Sequence, residues 1–158
     1  MAKPAFPIPS FYFKVSFDGA VGSESNLSCQ KISGIGMSLT TKETKPGGRS
    51  AHTIESPDRS KYDHVTIKKG VNFASDAWST LRANFFSLQE YDKVLQMQDK
   101  IMLDQLRITV MSEKGKEHIT WALINAWPIK WVMDEFDSMK SGIMTESVTF
   151  VYNNMNYQ

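Results

Sequence analysis

Alternation of apolar and polar positions predicts a strand near the start of the chain. Residues 11–17 read FYFKVSF, and one face of that segment carries Phe11, Phe13, Val15 and Phe17. A side-chain period of two is typical of a strand that buries one face. The Asp18-Gly19 pair that follows is a turn signal, so the strand is expected to end there.

Two further alternating runs enclose a polar stretch. The first run holds Ile35, Met37, Leu39 and Thr41, and the second centres on Val65 and Ile67. The polar residues 42–62 between them include Pro46-Gly47-Gly48 and Pro57-Asp58, which favour turns. The pattern predicts a long hairpin whose arms are the two apolar runs. A loop of this length inside a compact domain is more often functional than decorative.

Residues 75–89 change to a helical period. The apolar stripe consists of Trp78, Leu81, Phe85 and Leu88. Their spacing of three or four residues is typical of one helix face. Ser75 is predicted to cap this helix, and Asp76 suits the positive end of its dipole. Residues 89–104 show no clear period and receive no assignment.

The C-terminal third returns to strand periodicity. Residues 106–111 and 119–123 are predicted as hairpin arms around a turn at 112–116. The apolar alternation continues over 127–133, where Pro128 cannot donate to a ladder and therefore predicts an edge or a bulge. In the last run, 144–152, Glu146 interrupts the apolar side. Six or seven strands and one helix indicate a mainly β domain, a small barrel or sandwich whose open side the helix plugs.

Composition narrows the class of protein. The 158 residues are 41% hydrophobic and 22% charged, which is enough to build one domain, 1–158, around a real core. The net charge of +1 argues against a dedicated nucleic-acid binder. The N-terminal residues lack the apolar region of a signal peptide, and no window approaches the roughly 20 apolar residues of a spanning helix. Synthesis in the cytoplasm without membrane anchoring is therefore expected, and the single Cys29 predicts no internal disulfide.

Known catalytic patterns do not fit the sequence. The three histidines stand far apart, without a second ligand at zinc-site spacing, so no metal site is predicted. Gly34-Ile35-Gly36 resembles the start of a dinucleotide fingerprint, but Leu39 stands where the third glycine is required. Residues 46–50 lack the lysine of a phosphate loop. Neither an enzyme nor a cofactor is predicted.

Aromatic residues and charge single out two surfaces. Most of the four tryptophans and nine phenylalanines fit the predicted core, but Trp127 and Trp131 lie on the strand that contains Pro128 and are candidates for a subunit interface. Residues 31–70 carry eight basic against four acidic residues, so the predicted hairpin is the basic part of the chain.

Five segments, taken in order over about residues 7–157, resemble one family. They are 9–15 (PSFYFKV), 31–35 (KISGI), 62–71 (YDHVTIKKGV), 125–131 (NAWPIKW) and 146–152 (ESVTFVY). The family is the tail tube proteins of contractile-tailed phages, which also supplies the inner tubes of phage-tail-like contractile injection systems. The resemblance implies a barrel of two packed antiparallel sheets with one flanking helix and a long protruding hairpin.

The resemblance also implies a function. Such subunits form six-membered rings that stack into a hollow tube, which passes a cargo when the surrounding sheath contracts. The expected partners are further copies of the chain, sheath and baseplate proteins, and an effector protein, a ruler protein or phage DNA in the lumen of a virion-like particle. The hairpin residues expected to contact a neighbouring subunit are Lys42, Lys45, Gly47, Gly48, Arg49, Arg59 and Lys61. Acidic partners for them are expected at Asp134, Glu135 and Asp137.

Alternatives remain at the level of sequence. Ser56-Pro57-Asp58 stands where family members often carry Pro-Gly, and residues 89–104 are longer than the usual link. These departures leave open a baseplate-proximal initiator ring beside the main tube subunit. A monomeric β-barrel that binds a small apolar ligand is the alternative of another class, although the bulky phenylalanine face of 11–17 disfavours an internal cavity. A hydrolase has only scattered polar residues in its favour.

Overall fold

The described residues of the chain fold into ten strands and two helices. A computed structural model describes residues 8–45, 47–48, 53–72, 76–89 and 91–158, without the side chains of Tyr91 and Met97. The strands are β1 Phe13–Gly19, β2 Gly22–Leu27, β3 Lys31–Ser33, β4 Met37–Thr44, β5 Ile54–Tyr62, β6 Val65–Gly70, β7 Leu103–Met111, β8 Glu117–Met133, β9 Thr145–Val151 and β10 Asn154–Tyr157. The helices are α1 Ala77–Phe86 and α2 Tyr91–Ile101.

Eight strands form one antiparallel sheet that folds over a single core. Its order is β2-β1-β7-β8-β9-β6-β3, and β10 pairs with β8. The 17-residue strand β8 belongs to both halves, because its first part pairs with β7 and β10 and its last part with β9. The mainly β antiparallel architecture is confirmed. Among the described strands the sheet stays open, with β2 and β3 at its edges.

Two irregularities bend β8 where it passes from one half to the other. Asn125 has a φ of 51°, a left-handed conformation that asparagine tolerates better than most residues. Between Pro128 and Lys130 the register with β9 shifts, so Ile129 is bulged and exposed. The bulge predicted at Pro128 is confirmed. The regular apolar face predicted over 127–133 is wrong, because the extra residue turns Ile129 outward.

Helix α1 covers the core as predicted. Asp76 caps its N-terminus, accepting a hydrogen bond of 2.8 Å from the backbone N–H of Ser79. The prediction for Ser75 lies outside the described residues. Trp78 and Leu81 are fully buried. The Trp78 ring lies 6.1 Å from that of Phe17 in one half of the sheet and 6.1 Å from that of Phe150 in the other. The helix therefore joins both halves.

The hairpin differs from the predicted one. Its arms are β4 and β5, both of which extend into the stretch expected to be a loop, whereas the run around Val65 and Ile67 is the core strand β6. The first alternating run covers residues 37–41 of β4, whereas the pattern missed residues 42–44 and all of β5. Because the described residues bury neither face of the hairpin, these parts need no apolar alternation.

Two other elements also depart from the pattern. Residues 91–101, left without assignment, form the second helix α2, and β7 begins at Leu103. Phe11 precedes β1 and is exposed, contrary to its predicted place on the apolar face; its ring packs instead beside Tyr12, at 4.4 Å between centroids.

Candidate functional site

The hairpin formed by β4 and β5 has two chemically different faces. Residues directly opposite each other in an antiparallel ladder share a face. The first, the apolar face, carries Met37 opposite Tyr62, Leu39 opposite Ser60 and Thr41 opposite Pro57. The second, the basic face, carries Ser38 opposite Lys61, Thr40 opposite Arg59 and Lys42 opposite Ser56. A register shift at Asp58 separates the inner and outer pairs.

Neither face is covered by the described residues of the rest of the subunit. Every residue of β4 and β5 is exposed except Tyr62, which is half-buried. Met37, Leu39 and Ile54 are 54%, 60% and 59% exposed. A two-stranded hairpin is at best marginally stable in water unless a further strand or a packed face supports it. The hairpin therefore needs a second surface that the described part of this subunit does not supply.

The base of the hairpin is fixed to the sheet. The Tyr62 hydroxyl donates to Asn154 Oδ1 at 3.1 Å, and the rings of Tyr62 and Tyr152 lie 5.4 Å apart. Gly34, just before β4, has a φ of +86°, and a Cβ at this position would come within 2.1 Å of the His64 carbonyl oxygen. Only glycine fits this close approach, which sets the direction in which the hairpin leaves the sheet.

The predicted hairpin contacts fall into two groups. Lys42, Arg59 and Lys61 are brought together on the basic face, while Lys45, Gly47 and Gly48 lie in the tip. Arg49 lies outside the described residues. The Arg59 Nε atom is 3.9 Å from Asp58 Oδ2, a loose and exposed pair that contributes little to stability.

The predicted acidic cluster lies in the β8–β9 loop, residues 134–144. Lys68 Nζ is 2.7 Å from Asp134 Oδ2, and the Thr145 hydroxyl donates to the same carboxylate. The hydrogen bonds from Lys68 and then Thr145 hold the pKa of Asp134 below its ordinary value.

The other two acids of the loop differ in their partners. Asp137 pairs with Lys140 at 3.6 Å. Glu135 is exposed and has no ion pair among the described residues. Of the three predicted acids, Asp134 and Asp137 therefore already have partners inside the subunit.

The same loop displays large apolar side chains. Phe136, Met139 and Ile143 are 75%, 91% and 84% exposed. A single exposed apolar residue is ordinary, but three in one short loop are typical of an interaction site. These three residues follow neither a helical nor a strand period, so the sequence pattern gives no signal for them.

The two tryptophans predicted at an interface have different environments. Trp127 is half-buried, whereas Trp131 is only 7% exposed and belongs to the core. The prediction of Trp131 as a surface contact is wrong because its ring packs against α1, 5.2 Å from Trp78 and 5.7 Å from Phe85.

Glu146 lies at the centre of a buried polar cluster. The indole N–H groups of Trp78 and Trp131 donate to its two oxygens at 2.9 and 2.8 Å. Arg82 Nη1 lies 3.3 Å from one oxygen, and Lys69 Nζ lies 3.8 Å from the other. This group of five residues, the Glu146 centre, joins α1 to strands β6, β8 and β9 and satisfies the carboxylate on all sides. Its sequence signal is the acid that interrupts the apolar run at 144–152.

The interior leaves the apolar-ligand alternative without support. Aromatic rings of α1 and both halves of the sheet pack at the centre, where such a ligand would lie. The described residues form no group of three or more metal-binding side chains. Burial raises the pKa of the half-buried Cys29 thiol to about 12, so this group is a protonated thiol at neutral pH. No described helix has the length and hydropathy needed to span a bilayer.

Comparison with known proteins identifies one family. Residues 9–156 match the family model described as T4-like virus tail tube protein gp19. No sequence among the curated proteins matches the chain.

Solved structures share the fold at low identity. A chain of the anti-feeding prophage cap, a tube-terminating cap, matches with a TM-score of 0.78 and 19% identity over 100% of this chain and 95% of that one. A chain of the sheath-tube complex of an extracellular contractile injection system, PVC, matches with a TM-score of 0.74 and 22% identity over 98% of this chain and 93% of that one. A chain of the anti-feeding prophage baseplate matches with a TM-score of 0.72 and 21% identity over 100% of this chain and 97% of that one.

Proposed function

The chain belongs to the T4-like virus tail tube protein family, and from that premise we propose that it forms hexameric rings that stack into a hollow tube. The tube is the inner tube of a contractile phage tail or a phage-tail-like injection system. A cargo passes through its lumen, or is expelled with it, when a surrounding sheath contracts.

The observation that carries this proposal is the uncovered hairpin. Its apolar face and its basic face have no partner surface within the described part of the subunit, although its base is fixed by Tyr62 and Gly34. A rigidly aimed hairpin with two unused faces can contact a different patch on a neighbouring copy. Such contacts between unlike patches generate the rings and stacks that a tube requires.

The proposed partners follow from the structural neighbours. Those neighbours belong to a tube-terminating cap, a sheath-tube complex and a baseplate. We propose that this chain likewise contacts sheath and baseplate proteins within a virion-like particle. The proposed cargo is an effector protein, a ruler protein or phage DNA. The fold is consistent with a main tube subunit and also with a subunit of the initiator ring.

The proposal assigns a purely structural role. The subunit acts by assembling, with residues 1–158 as a single tail-tube-like domain, and it turns over no substrate. The family is one of structural tube proteins. The most elaborate polar arrangement described, the Glu146 centre, is buried between α1 and the sheet rather than presented to a substrate.

The test is the assembly state of the purified protein. Negative-stain electron microscopy is expected to show rings or stacked tubes. Light scattering is expected to give a mass of about six times 17.9 kDa or a multiple of that. A chain that stays monomeric at high concentration, and also after baseplate components are added, would contradict the proposal.

A matched pair of variants tests the role of the hairpin. Lys42→Glu with Arg59→Glu reverses two charges of the basic face and is expected to abolish the stacked tubes. Lys93→Glu with Lys100→Glu makes the same change in net charge on exposed positions of α2 and serves as the control. Equal assembly by the two variants would remove the hairpin from the proposal.

A further inference from the structure

The hairpin and the β8–β9 loop lie at opposite ends of the same pair of strands. Strand β6 starts at Val65, directly after the hairpin, and ends at Gly70. Gly70 pairs with Thr145, the first residue after the β8–β9 loop, because β9 runs antiparallel to β6. Six residues of strand separate the two ends, a distance of about 20 Å. When two copies are placed end to end along these strands, the hairpin of one faces the loop of the next.

The two ends have complementary apolar surfaces. Met37 and Leu39 stand on the apolar face of the hairpin, and the β8–β9 loop exposes Phe136, Met139 and Ile143. Both groups cost free energy in water at roughly 25 cal/mol for each Å² of apolar surface, so contact between them is favourable.

The charges of the two ends are complementary in both directions. Lys42, Arg59 and Lys61 share the basic face, and Glu135 at the other end has no ion pair among the described residues. At the outer end of the apolar face Glu43 stands directly opposite Glu55. Like charges in such a cross-strand pair are destabilising.

A cation near that glutamate pair would relieve the repulsion. The β8–β9 loop offers Lys140, whose side chain is 75% exposed and whose 3.6 Å pair with Asp137 is a surface contact of little strength. The loop therefore supplies an acid for the basic face and a cation for the acidic pair, beside its apolar residues.

We propose that the β8–β9 loop is the surface on which the hairpin of the next copy of this chain docks. This assignment rests on the proposed function and names the partner surface of the hairpin. The contact joins unlike patches at opposite ends of the subunit, so its repetition extends along one direction without closing and stacks one ring on the next. Ring closure then depends on other surfaces.

The first test is a double variant of the loop. Glu135→Lys with Phe136→Ser is expected to eliminate stacked tubes while ring-sized particles persist. Leu95→Ser with Asp99→Lys makes the same change in net charge and likewise replaces an exposed apolar residue by serine, at exposed positions of α2, and is expected to leave tubes intact. Circular dichroism and thermal unfolding verify that both variants are folded.

The second test traps the contact directly. In a Cys29→Ser background, protein with Leu39→Cys is mixed with protein carrying Met139→Cys under mild oxidation. A cross-linked species at twice the subunit mass is the expected result. The control replaces Met139→Cys with Leu95→Cys, and a yield no higher than in this control would overturn the assignment.

The outcomes separate the two proposals. Wild-type protein that forms no assembly contradicts the proposed function itself. Wild-type tubes together with normal tubes of the Glu135→Lys, Phe136→Ser variant contradict only the docking surface. Loss of tubes in that variant, with the cross-link formed and the α2 control intact, supports the assignment.

Discussion

The Glu146 centre and the hairpin both place side chains in environments of the opposite polarity: a charged group in the core, and apolar groups in water. Glu146 is a charged residue with no exposed surface, at the middle of the core. Met37 and Leu39 of the hairpin are large apolar residues that face water. The first region resolves this mismatch inside the subunit, because two indoles, an arginine and a lysine surround the carboxylate. The hairpin finds no comparable set of partners among the described residues.

The difference shows which process stabilises each region, folding of the subunit or association with a second copy. A buried carboxylate is tolerated only when partners compensate the lost hydration, so the Glu146 centre belongs to folding. An exposed two-faced hairpin gains its stabilisation when a second copy covers it, so the hairpin belongs to assembly. Substitutions in the two regions should therefore separate into effects on unfolding and effects on association.

Glu146→Gln is expected to have the largest effect on folding. The amide has one oxygen for two indole donors, and Arg82 and Lys69 lose their countercharge. Removing one partner of a buried pair costs about 3–5 kcal/mol, and urea unfolding should show a loss of this size. Glu113→Gln, at an exposed turn, is the control and should change the unfolding free energy by less than about 0.5 kcal/mol. Equal stability of the two variants would contradict the role given to the Glu146 centre.

Gly34→Ala is expected to have the next largest effect, at the base of the hairpin. The left-handed backbone and the contact with the His64 carbonyl oxygen should together cost at least about 2 kcal/mol. Gly142→Ala is the matched control, since a Cβ there meets no atom of the described residues within 4 Å. Thermal unfolding of both variants measures the difference, and a Gly34→Ala protein as stable as Gly142→Ala would show that the base of the hairpin can adjust.

Met37→Ser with Leu39→Ser should leave folding almost unchanged. Both side chains are exposed, so the unfolding free energy of the disassembled subunit should shift by less than about 0.5 kcal/mol. The same protein is expected to lose its stacked tubes, so that the mass from light scattering falls to that of a single ring, whereas Val94→Ser with Leu95→Ser on α2 should keep the tubes. A large loss of subunit stability would mean that the hairpin packs within its own chain.

The alkylation of Cys29 is expected to disturb the subunit least. It compares a half-buried thiol that packs against the core with a thiol placed on the hairpin. Its pKa is raised from 9.0 to about 12, so at pH 8 the thiolate fraction falls by about a thousandfold, and alkylation should slow accordingly. Leu39→Cys in a Cys29→Ser background places a thiol on the hairpin and should react at the rate of a free thiol. Equal rates at the two positions would contradict the burial of Cys29.

The same shift of the pKa sets a dependence of stability on pH. Because the folded state favours the thiol form, its contribution is complete below pH 9 and is lost as the pH rises from 9 towards 12. Relative to Cys29→Ser, the wild-type subunit should lose stability in that range and should not in the neutral range.

The sequence predicted the buried elements well. Val15 and Phe17, Trp78 and Leu81, and Val148 and Phe150 lie in the core as their periods indicated. Each sits on an element with one face in water and one in the core, so the pattern of apolar positions carries the information. The bulge at Pro128 was predictable for a different reason, the missing backbone donor.

The sequence pattern did not predict the structure of regions in which packing inside one subunit imposes no regular apolar period. Strand β5 and residues 42–44 of β4 lie in the stretch predicted as a loop, because no core imposes an apolar period on them. Phe136, Met139 and Ile143 follow no secondary-structure period at all. Trp131 was assigned to the surface because periodicity cannot show which of two aromatic residues a bulge turns inward.

The length of β8 has a mechanical consequence. One strand of 17 residues runs through both halves of the sheet, so the two halves are joined by a continuous backbone as well as by packing of their side chains. A force on one half of the sheet is transmitted to the other through the covalent backbone of β8. It is also transmitted through the ladders of β8 with β7 and with β9, which it loads in shear along the strands. The subunit should therefore respond to an axial push as one stiff body, with its compliance concentrated at the bend between Asn125 and Lys130.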